Sequence, residues 1–513
     1  MNTAVKQGPE TVTVSLDGDE LLDLEAAAEQ LCVSKTTLYR MLERGEVKGS
    51  KVGRQWRFRA RDLDAYLARG PVAVALAAVP LAALESEIAA IAEKLHRAGE
   101  DMPSVVDDAL DQWEVRVVQL LHGIIKLARV QRSSDVHLEV TKDGGELRGL
   151  LRFRIDGVLH EIHRLPVRVY EALVLRIRLM ASGDPGNGGY LDASLHLPIG
   201  DTVEDARISV MSTFLGEAVT IRLHSASDIS NVTLDQLDFH ADDLLRVRAW
   251  LQQPSGLIFT AGPSGTGKTT LLYKMLGEIA RPARKVVTIE DPIEYQLPGV
   301  MQVELNEKTR NFGSALRAFF RHDIDAVLVG ELRDLDTINL TLQLAVNGRL
   351  VLSPVHINSA VETLLRVVEV FPVDQQDAIR TLLANHVLGV VSMRLVRKLC
   401  PTCKHAQPLS AEMQSRLNAL GQRWGIQVAG DAVGYQAVGC TDCGHTGFRG
   451  RTGLYEVLEM TPEFRAAFLQ GASREELRRH TTGMRTLASE GLRKALEGIT
   501  TFAEVLPLAH CES

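Results

Sequence analysis

Nowhere in the 513 residues does an uncharged apolar run approach the ~20 residues needed to cross a bilayer. The nearest, Pro71 to Leu84, is shorter, rich in alanine and interrupted by Pro80, so no membrane span is expected. The opening MNTAVKQGPETVTVSLDGDE lacks both an apolar core and a small-residue cleavage site, which points to the cytoplasm. An excess of positive charge is lacking too: 57 Lys and Arg against 65 Asp and Glu leave a net charge of -8, which gives no global pull toward nucleic acid. Cysteine is sparse, six in all, and four fall into two C-x-x-C pairs, leaving Cys32 and Cys511 over. In a cytoplasmic chain that spacing reads as metal before disulfide. What is present, 45% hydrophobic and 24% charged residues, suits a globular chain, and the length predicts about three or four domains.

The most informative stretch is LIFTAGPSGTGKTT, Leu257 to Thr270. Leu257 to Ala261 reads as a buried strand, Gly262 to Gly267 cannot continue it, and from Lys268 to Ala280 a helix resumes with Leu271, Leu272, Met275 and Ile279 inward. The loop fits G-x-x-x-x-G-K-[ST], in which glycines let backbone N–H groups turn onto a polyanion. Phosphates, those of a nucleotide, are the expected guests. The binding set is Gly262, Pro263, Ser264, Gly265, Thr266, Gly267, Lys268, Thr269 and Thr270. Lys268 would reach the outer phosphates, and the Thr269 hydroxyl would ligate Mg²⁺.

Residues 1–20 read as a flexible tail. From Leu21 to Gly70 the pattern is helix, turn, helix, with Leu24, Ala27, Ala28 and Leu31 on one face, Ser34 as a cap, and Leu38, Met41 and Leu42 inward. Val47 to Phe58 then alternates like a hairpin turning near Gly53. This layout resembles the small winged helix-turn-helix domains of the excisionase and MerR type. That resemblance would expose Lys35, Thr36, Thr37 and Arg40 on a recognition helix and Lys51, Arg54, Arg57 and Arg59 on a wing. The basic residues suit contact with duplex DNA, and the same module equally suits a protein partner. Residues 71–112 read as a linker or a helical segment, with a helix near Leu84 to Leu95.

Helix followed by antiparallel strands predicts an α+β domain over 113–231. SSDVHLEV (Ser133 to Val140) and FRIDGVLHE (Phe153 to Glu161) resemble the domain that precedes the core of bacterial type II secretion and type IV pilus assembly ATPases, and the resemblance runs nearly to the carboxyl terminus. It implies that Arg207 and Arg222 are presented to ATP as fixed cations. One departure is that GDPGNGGYLDASL places Gly188 and Gly189 where the family usually carries arginines.

Over 232–395 three further strands are expected: Lys285 to Ile289, Ala326 to Val329, and Leu350 to Ser353. They end at EDPIE, at Gly330-Glu331, and near His356, and ligands of open α/β sheets bind beyond such strand ends. The expected core is RecA-like. The resemblance assigns Glu294 to orient the attacking water and Glu331 to support Mg²⁺ through water. Gly330 stands where P-loop enzymes usually have aspartate. Arg317 and Arg321, four apart on a predicted helix, match arginines directed at phosphates; a solvated face is the alternative. His356 matches a sensor of nucleotide state or an ordinary buried histidine, with Arg349 and Pro354 departing from the family's pattern around it.

Over 396–457, Cys400, Cys403, Cys440 and Cys443 suit structural Zn²⁺, with a helical excursion at Ala411 to Trp424 between the pairs. Residues 458–513 read as helices, the first opened by Thr461-Pro462 and the next by a Ser473/Glu476 capping box. The fold expected is thus multidomain α/β: a RecA-like P-loop core after an α+β domain and a winged helix-turn-helix, then a tetracysteine region and terminal helices. The resemblance implies an ATP-hydrolysing, hexameric motor for secretion or pilus assembly, acting through an inner-membrane platform protein and so peripheral to that membrane. A DNA-binding regulator with an ATP-dependent switch and a nucleotide-binding scaffold with little hydrolysis stay open.

Overall fold

The computed structural model describes residues 14–509 except 17–18, 32–34, 45–46, 53–54, 61–62, 64–78, 106–109, 111, 183–188, 200–201, 224–231, 306–310, 425 and 482. The chain divides into two units, Met1–His224 and Ser225–Ser513. In the first, β1 (Val14–Leu16), β2 (Asp19–Leu22), α1 (Leu24–Gln30), α2 (Lys35–Arg44), β3 (Ser50–Val52) and β4 (Gln55–Arg59) make a four-stranded sheet, ordered β1-β2-β4-β3, with two helices. Within the expected tail of residues 1–20, Val14–Leu16 and the start of β2 pair as strands, and residues 1–13 and 17–18 lie outside the described residues; Leu22 pairs with Phe58, whose ring lies in a core with Ala27, Leu31, Leu38 and Met41. Asp23 caps α1, accepting from the amides of Glu25 and Ala26 at 3.0 and 2.9 Å. Ser34, the turn at Cys32 and Val33, and Gly53 lie outside the described residues.

Next come α3 (Leu81–Arg97), α4 (Gln112–Val130), β5 (Ser133–Asp143), β6 (Glu146–Ile155), β7 (Val158–Pro166), α5 (Val167–Ser182), β8 (Leu191–Ile199), β9 (Thr202–Thr213) and β10 (Gly216–Leu223). The strands form one antiparallel sheet ordered β7-β6-β5-β10-β9-β8. LRGLLRFRIDGVLHEI, one run in the sequence, is two strands, because Asp156 and Gly157 both take positive φ, 50° and 90°, as a two-residue hairpin turn requires. Helix α3 is part of this fold and no linker: Leu84, Ile91 and Leu95 share one core with α4, α5 and the sheet.

The second unit contains α6 (Ala241–Leu251), β11 (Gly256–Ala261), α7 (Lys268–Ile279), β12 (Val286–Glu290), β13 (Val300–Glu304), α8 (Phe312–Phe319), β14 (Ala326–Val329), α9 (Leu335–Val346), β15 (Leu350–Val355), α10 (Ala360–Glu369), α11 (Val373–His386) and β16 (Val387–Leu399). There follow β17 (Lys404–Pro408), α12 (Ala411–Trp424), β18 (Val433–Ala437), β19 (Phe448–Glu459), α13 (Pro462–Leu469), α14 (Arg474–Arg479), α15 (Leu487–Leu496) and α16 (Phe502–Ala509). Seven strands order as β13-β12-β14-β15-β11-β16-β19; all neighbours are parallel except β16 and β19. Alternate residues face opposite cores. Leu257, Phe259 and Ala261 join Val287, Val327 and Val351 on one side, while Ile258 joins Val286, Leu328 and Leu352 on the other. The expected boundaries at 395/396 and 457/458 fall inside β16 and β19, so the cysteine region and terminal helices grow out of the same sheet. Thr461 and Ser473 cap α13 and α14 as their residue types predict.

Ile91→Ala is expected to cost about 2–5 kcal/mol through the cavity it leaves between α3 and α4. The measurement is a lowered denaturation midpoint of the full-length protein, with Glu93→Ala on the exposed face leaving the midpoint nearly unchanged.

Candidate functional site

The loop between β11 and α7 owes its shape to Gly262, Gly265 and Gly267, with φ of 151°, 76° and 93°. At Gly262 a Cβ would meet the Thr266 Oγ1 at 2.7 Å and the Met393 carbonyl at 2.8 Å, whereas at Gly265 nothing lies within 4 Å. Helix α7 starts at Gly267, which has no side chain to cap it, and this leaves first-turn amides to point outward at an anion. Thr266 instead closes the loop, donating to the Pro263 carbonyl at 2.9 Å. Lys268 is 7% exposed. Its Nζ donates to the carbonyls of Gly262 and Pro263 at 2.6 and 2.8 Å and lies 3.5 Å from the His356 Nδ1. Burial and the charge of Arg394 bring its pKa down to about 8, against an upward pull from Glu331. His356 is exposed, so it is no ordinary buried histidine; partial loss of water and the charge of Lys268 lower its pKa as well. A basic, cation-lined loop of this form fits a polyphosphate.

Lys268, His356 and Glu331 therefore lie within one electrostatic neighbourhood. Glu331 follows β14 and is held by Arg333 at 2.7 Å. Gly330 has a steric cause: a Cβ there would meet the Ile289 carbonyl at 2.7 Å and the Glu290 Cα at 3.2 Å, so the tips of β12 and β14 approach too closely for an aspartate. Glu294 is exposed on the loop after β12, and its amide donates to the Tyr273 hydroxyl of α7 at 3.3 Å. Arg317 pairs with Asp336 at 2.7 Å. Arg321 corrects the expectation of a shared helix face: α8 stops at Phe319 because the chain must turn, through Asp323 at φ 50°, into β14. Thr269, Thr270 and Arg349 are half-buried, and Pro354 lies within β15 opposite Thr260.

In the first unit, Arg207 and Arg222 are exposed and directly opposite each other on β9 and β10. Like charges so placed repel. The sequence reading missed the group that offsets this, the buried Asp135 of SSDVHLEV, which accepts from Arg222 Nε at 3.0 Å and lies 3.7 Å from Arg154. Arg154, Asp135, Arg222 and Arg207 thus form one row across four strands. Gly188 lies outside the described residues, and the Gly189 carbonyl accepts from Arg178 at 2.8 Å.

The four cysteines meet. Their sulfurs lie within 4.8 Å of one another, with Cys400–Cys440, Cys403–Cys443 and Cys440–Cys443 at 3.8 Å. A tetrahedron with Zn–S bonds of about 2.3 Å has edges of about 3.8 Å, so the donor set fits Zn²⁺. Amides of Gly439, Cys440 and Gly447 donate to the sulfurs at 3.2–3.3 Å. Burial opposes ionisation of Cys443, yet the Cys440 and Gly447 amides and the neighbouring thiols bring its pKa down to about 6.

Of the basic helix-turn-helix residues, Lys35 pairs with Glu25 at 2.7 Å, Lys51 lies 5.9 Å from the Trp56 ring centre, and Arg57 donates to Gln55 at 2.7 Å. Arg59 is exposed on β4. The side chains of Thr36, Thr37, Arg40 and Arg54 lie outside the described residues.

A family model described as Type II/IV secretion system protein matches residues 111–507. The chain belongs to that family. A second model, Helix-turn-helix domain, matches residues 21–71. Type II secretion system protein E of Klebsiella pneumoniae is 36% identical over 422 residues, 80% of each chain. The type IV pilus assembly ATPase PilB of Myxococcus xanthus is 33% identical, over 82% of this chain and 73% of its own. Among solved structures, the Legionella pneumophila ATPase DotB has a TM-score of 0.57 at 18% identity, covering 77% of this chain and 95% of its own. The pilus retraction motor PilT with bound ADP has a TM-score of 0.52 at 24% identity, covering 75% and 96%. At those identities the likeness is one of fold, the mixed α/β architecture of family members. No described helix is long and apolar enough to cross a membrane.

Gly330→Ala is expected to destabilise the protein by about 1–3 kcal/mol, because the added methyl meets backbone atoms that cannot move aside. Thermal denaturation of the full chain measures it, with Gly265→Ala, where there is room but φ is positive, as the strain-only comparison.

Proposed function

We propose that the chain is the ATP-hydrolysing motor of a type II secretion or type IV pilus assembly machine. The observation that carries this reading is the buried Lys268 amine, gathered with His356 and Glu331 at an uncapped helix start. The relatives named for those two machines, protein E and PilB, support the choice of machine. In this reading the α7 amides and Lys268 hold the phosphates. Thr269 and Glu331 would hold Mg²⁺, which supplies charge neutralisation at the phosphate oxygens. Glu294 orients a water and accepts its proton. The water oxygen bonds the γ-phosphorus as the bond to the β–γ bridging oxygen breaks, and the electron pair leaves on ADP. Arg207, Arg222, Arg317 and Arg321 are the proposed fixed cations, and His356, against Lys268, the proposed sensor of nucleotide state.

Cys400, Cys403, Cys440 and Cys443 would hold structural Zn²⁺, which supplies a clamp. We place the protein in the cytoplasm as a homo-hexamer, peripheral to the inner membrane through a platform protein. The helix-turn-helix stands ahead of the family match, and the exposed Lys51 and Arg59 favour a second role for it in duplex DNA contact.

Purified protein is expected to hydrolyse MgATP. Lys268→Ala should lose binding, while Glu294→Gln should keep binding and lose at least about 100-fold in rate; a wild-type protein that binds without turnover would overturn the motor reading. The pH dependence has a definite sign. Lys268 carries its charge below about pH 8 and sheds it above, so ATP affinity should fall as pH rises from about 8 toward 10, with proton uptake on binding. Lys268→Arg, charged throughout, should flatten that slope in calorimetric titrations. For the cysteine cluster, metal analysis is expected to give one zinc per chain, and Cys403→Ser should lose it along with protease resistance of residues 404–439.

A further inference from the structure

The Tyr273 hydroxyl is the meeting point of three segments of the second unit. Tyr273 is fully buried on α7, the helix that begins with Lys268 and Thr269. Its hydroxyl donates its one proton to the Glu290 carboxylate, and its lone pair accepts the amide of Glu294 at 3.3 Å. A main-chain N–H can only donate, so the direction of both bonds is fixed. Glu290, 4% exposed at the tip of β12, is locked from its other side by Thr288 Oγ1 at 2.5 Å and Gln302 Nε2 at 3.3 Å. Gln302 also accepts from the Leu297 amide at 2.7 Å and donates to the Tyr295 carbonyl at 3.0 Å, and the Tyr295 ring packs edge-on against Tyr273 at 4.7 Å. The loop bearing Glu294 is therefore gripped at its start and middle by the buried Glu290 and Tyr273 and toward its end by the half-buried Gln302, each of them hydrogen-bonded.

We propose that Tyr273 is a positioning residue for ATP hydrolysis, tying the Glu294 loop to the phosphate-binding helix through Glu290 and Gln302. The proposal rests on the reading of Glu294 as the group that orients water. With its hydroxyl committed to Glu290 and the Glu294 amide, Tyr273 acts by holding Glu294 in line, and misplacement of a catalytic group by about 1 Å can cost about 100-fold.

Tyr273→Phe keeps the ring and removes the hydroxyl. The expected result in the full-length protein is a kcat lowered about 10- to 100-fold, a KM for MgATP within about two-fold of wild type, and unchanged MgADP affinity. Gln302→Leu, which leaves Tyr273 intact, should lower kcat in the same sense and serves as the second variant if Tyr273→Phe folds poorly. In a Glu294→Gln background, Tyr273→Phe should leave the residual rate unchanged, since no carboxylate remains to be aligned. Wild-type turnover in Tyr273→Phe, or in Gln302→Leu should Tyr273→Phe fold poorly, or an equal proportional loss with and without Glu294, would overturn the proposal. Glu294→Gln alone separates the two claims. Full activity there sinks the parent reading, whereas an inactive Glu294→Gln beside a fully active Tyr273→Phe sinks only this one.

Discussion

Burial of a parallel sheet on both faces is the constraint from which the rest of the second unit follows. Residues of β11, β12, β14 and β15 alternate between two apolar cores, so neither face can carry a charged group without a partner. Polar chemistry is driven to the strand tips. Because the strands are parallel, their carboxyl ends share one edge, where Gly262, Glu290, Gly330 and His356 are found. The tightness of that edge explains the glycine at 330, and it also explains why a buried carboxylate, Glu290, is paired with a tyrosine from the neighbouring helix.

The same sheet extends into the cysteine region. Strand β16 runs beside β11, its Met393 carbonyl leaving no room for a Cβ at Gly262, and then pairs with β19 as far as Phe448. A buried ammonium fastens the terminal helices to this hairpin: Lys494 of α15 donates to the carbonyls of Asp238 and Gly453 at 2.7 and 2.5 Å and to Thr452 Oγ1 at 3.2 Å. Burial and loss of water lower its pKa, and Glu490 opposes that fall. Satisfying every proton of a buried amine is what makes the arrangement tolerable.

Local chemistry was legible in the sequence and long-range pairing was not. Glycines flanked by an apolar run and a helical period mark the loop between β11 and α7, because each residue type there has one geometric use. Thr461-Pro462 and Ser473 with Glu476 mark helix starts for the same reason. By contrast β1, β2 and β13 are three to five residues long and carry too little alternation to stand out. The helical period persists through Arg321 although the helix ends earlier, since the need to enter β14 overrides it. Tyr273 and Asp135 were passed over because their partners, Glu290 and Arg222, are brought to them by the fold. Only the acidic EDPIE run hinted at one of them.

The insert between the cysteine pairs leaves and rejoins the sheet at nearly one point. Four sulfurs close its neck, while β17, β18 and α12 pack beyond it, through Leu417, against Leu492, Ala495, Phe502 and Val505 of the terminal helices. Within such a segment only an exposed turn can lengthen cheaply, since the entropy of a longer closed loop rises only logarithmically. The exposed turn at Ala429, Gly430 and Asp431 is accordingly the natural place in it to graft a fluorescent reporter or an affinity handle.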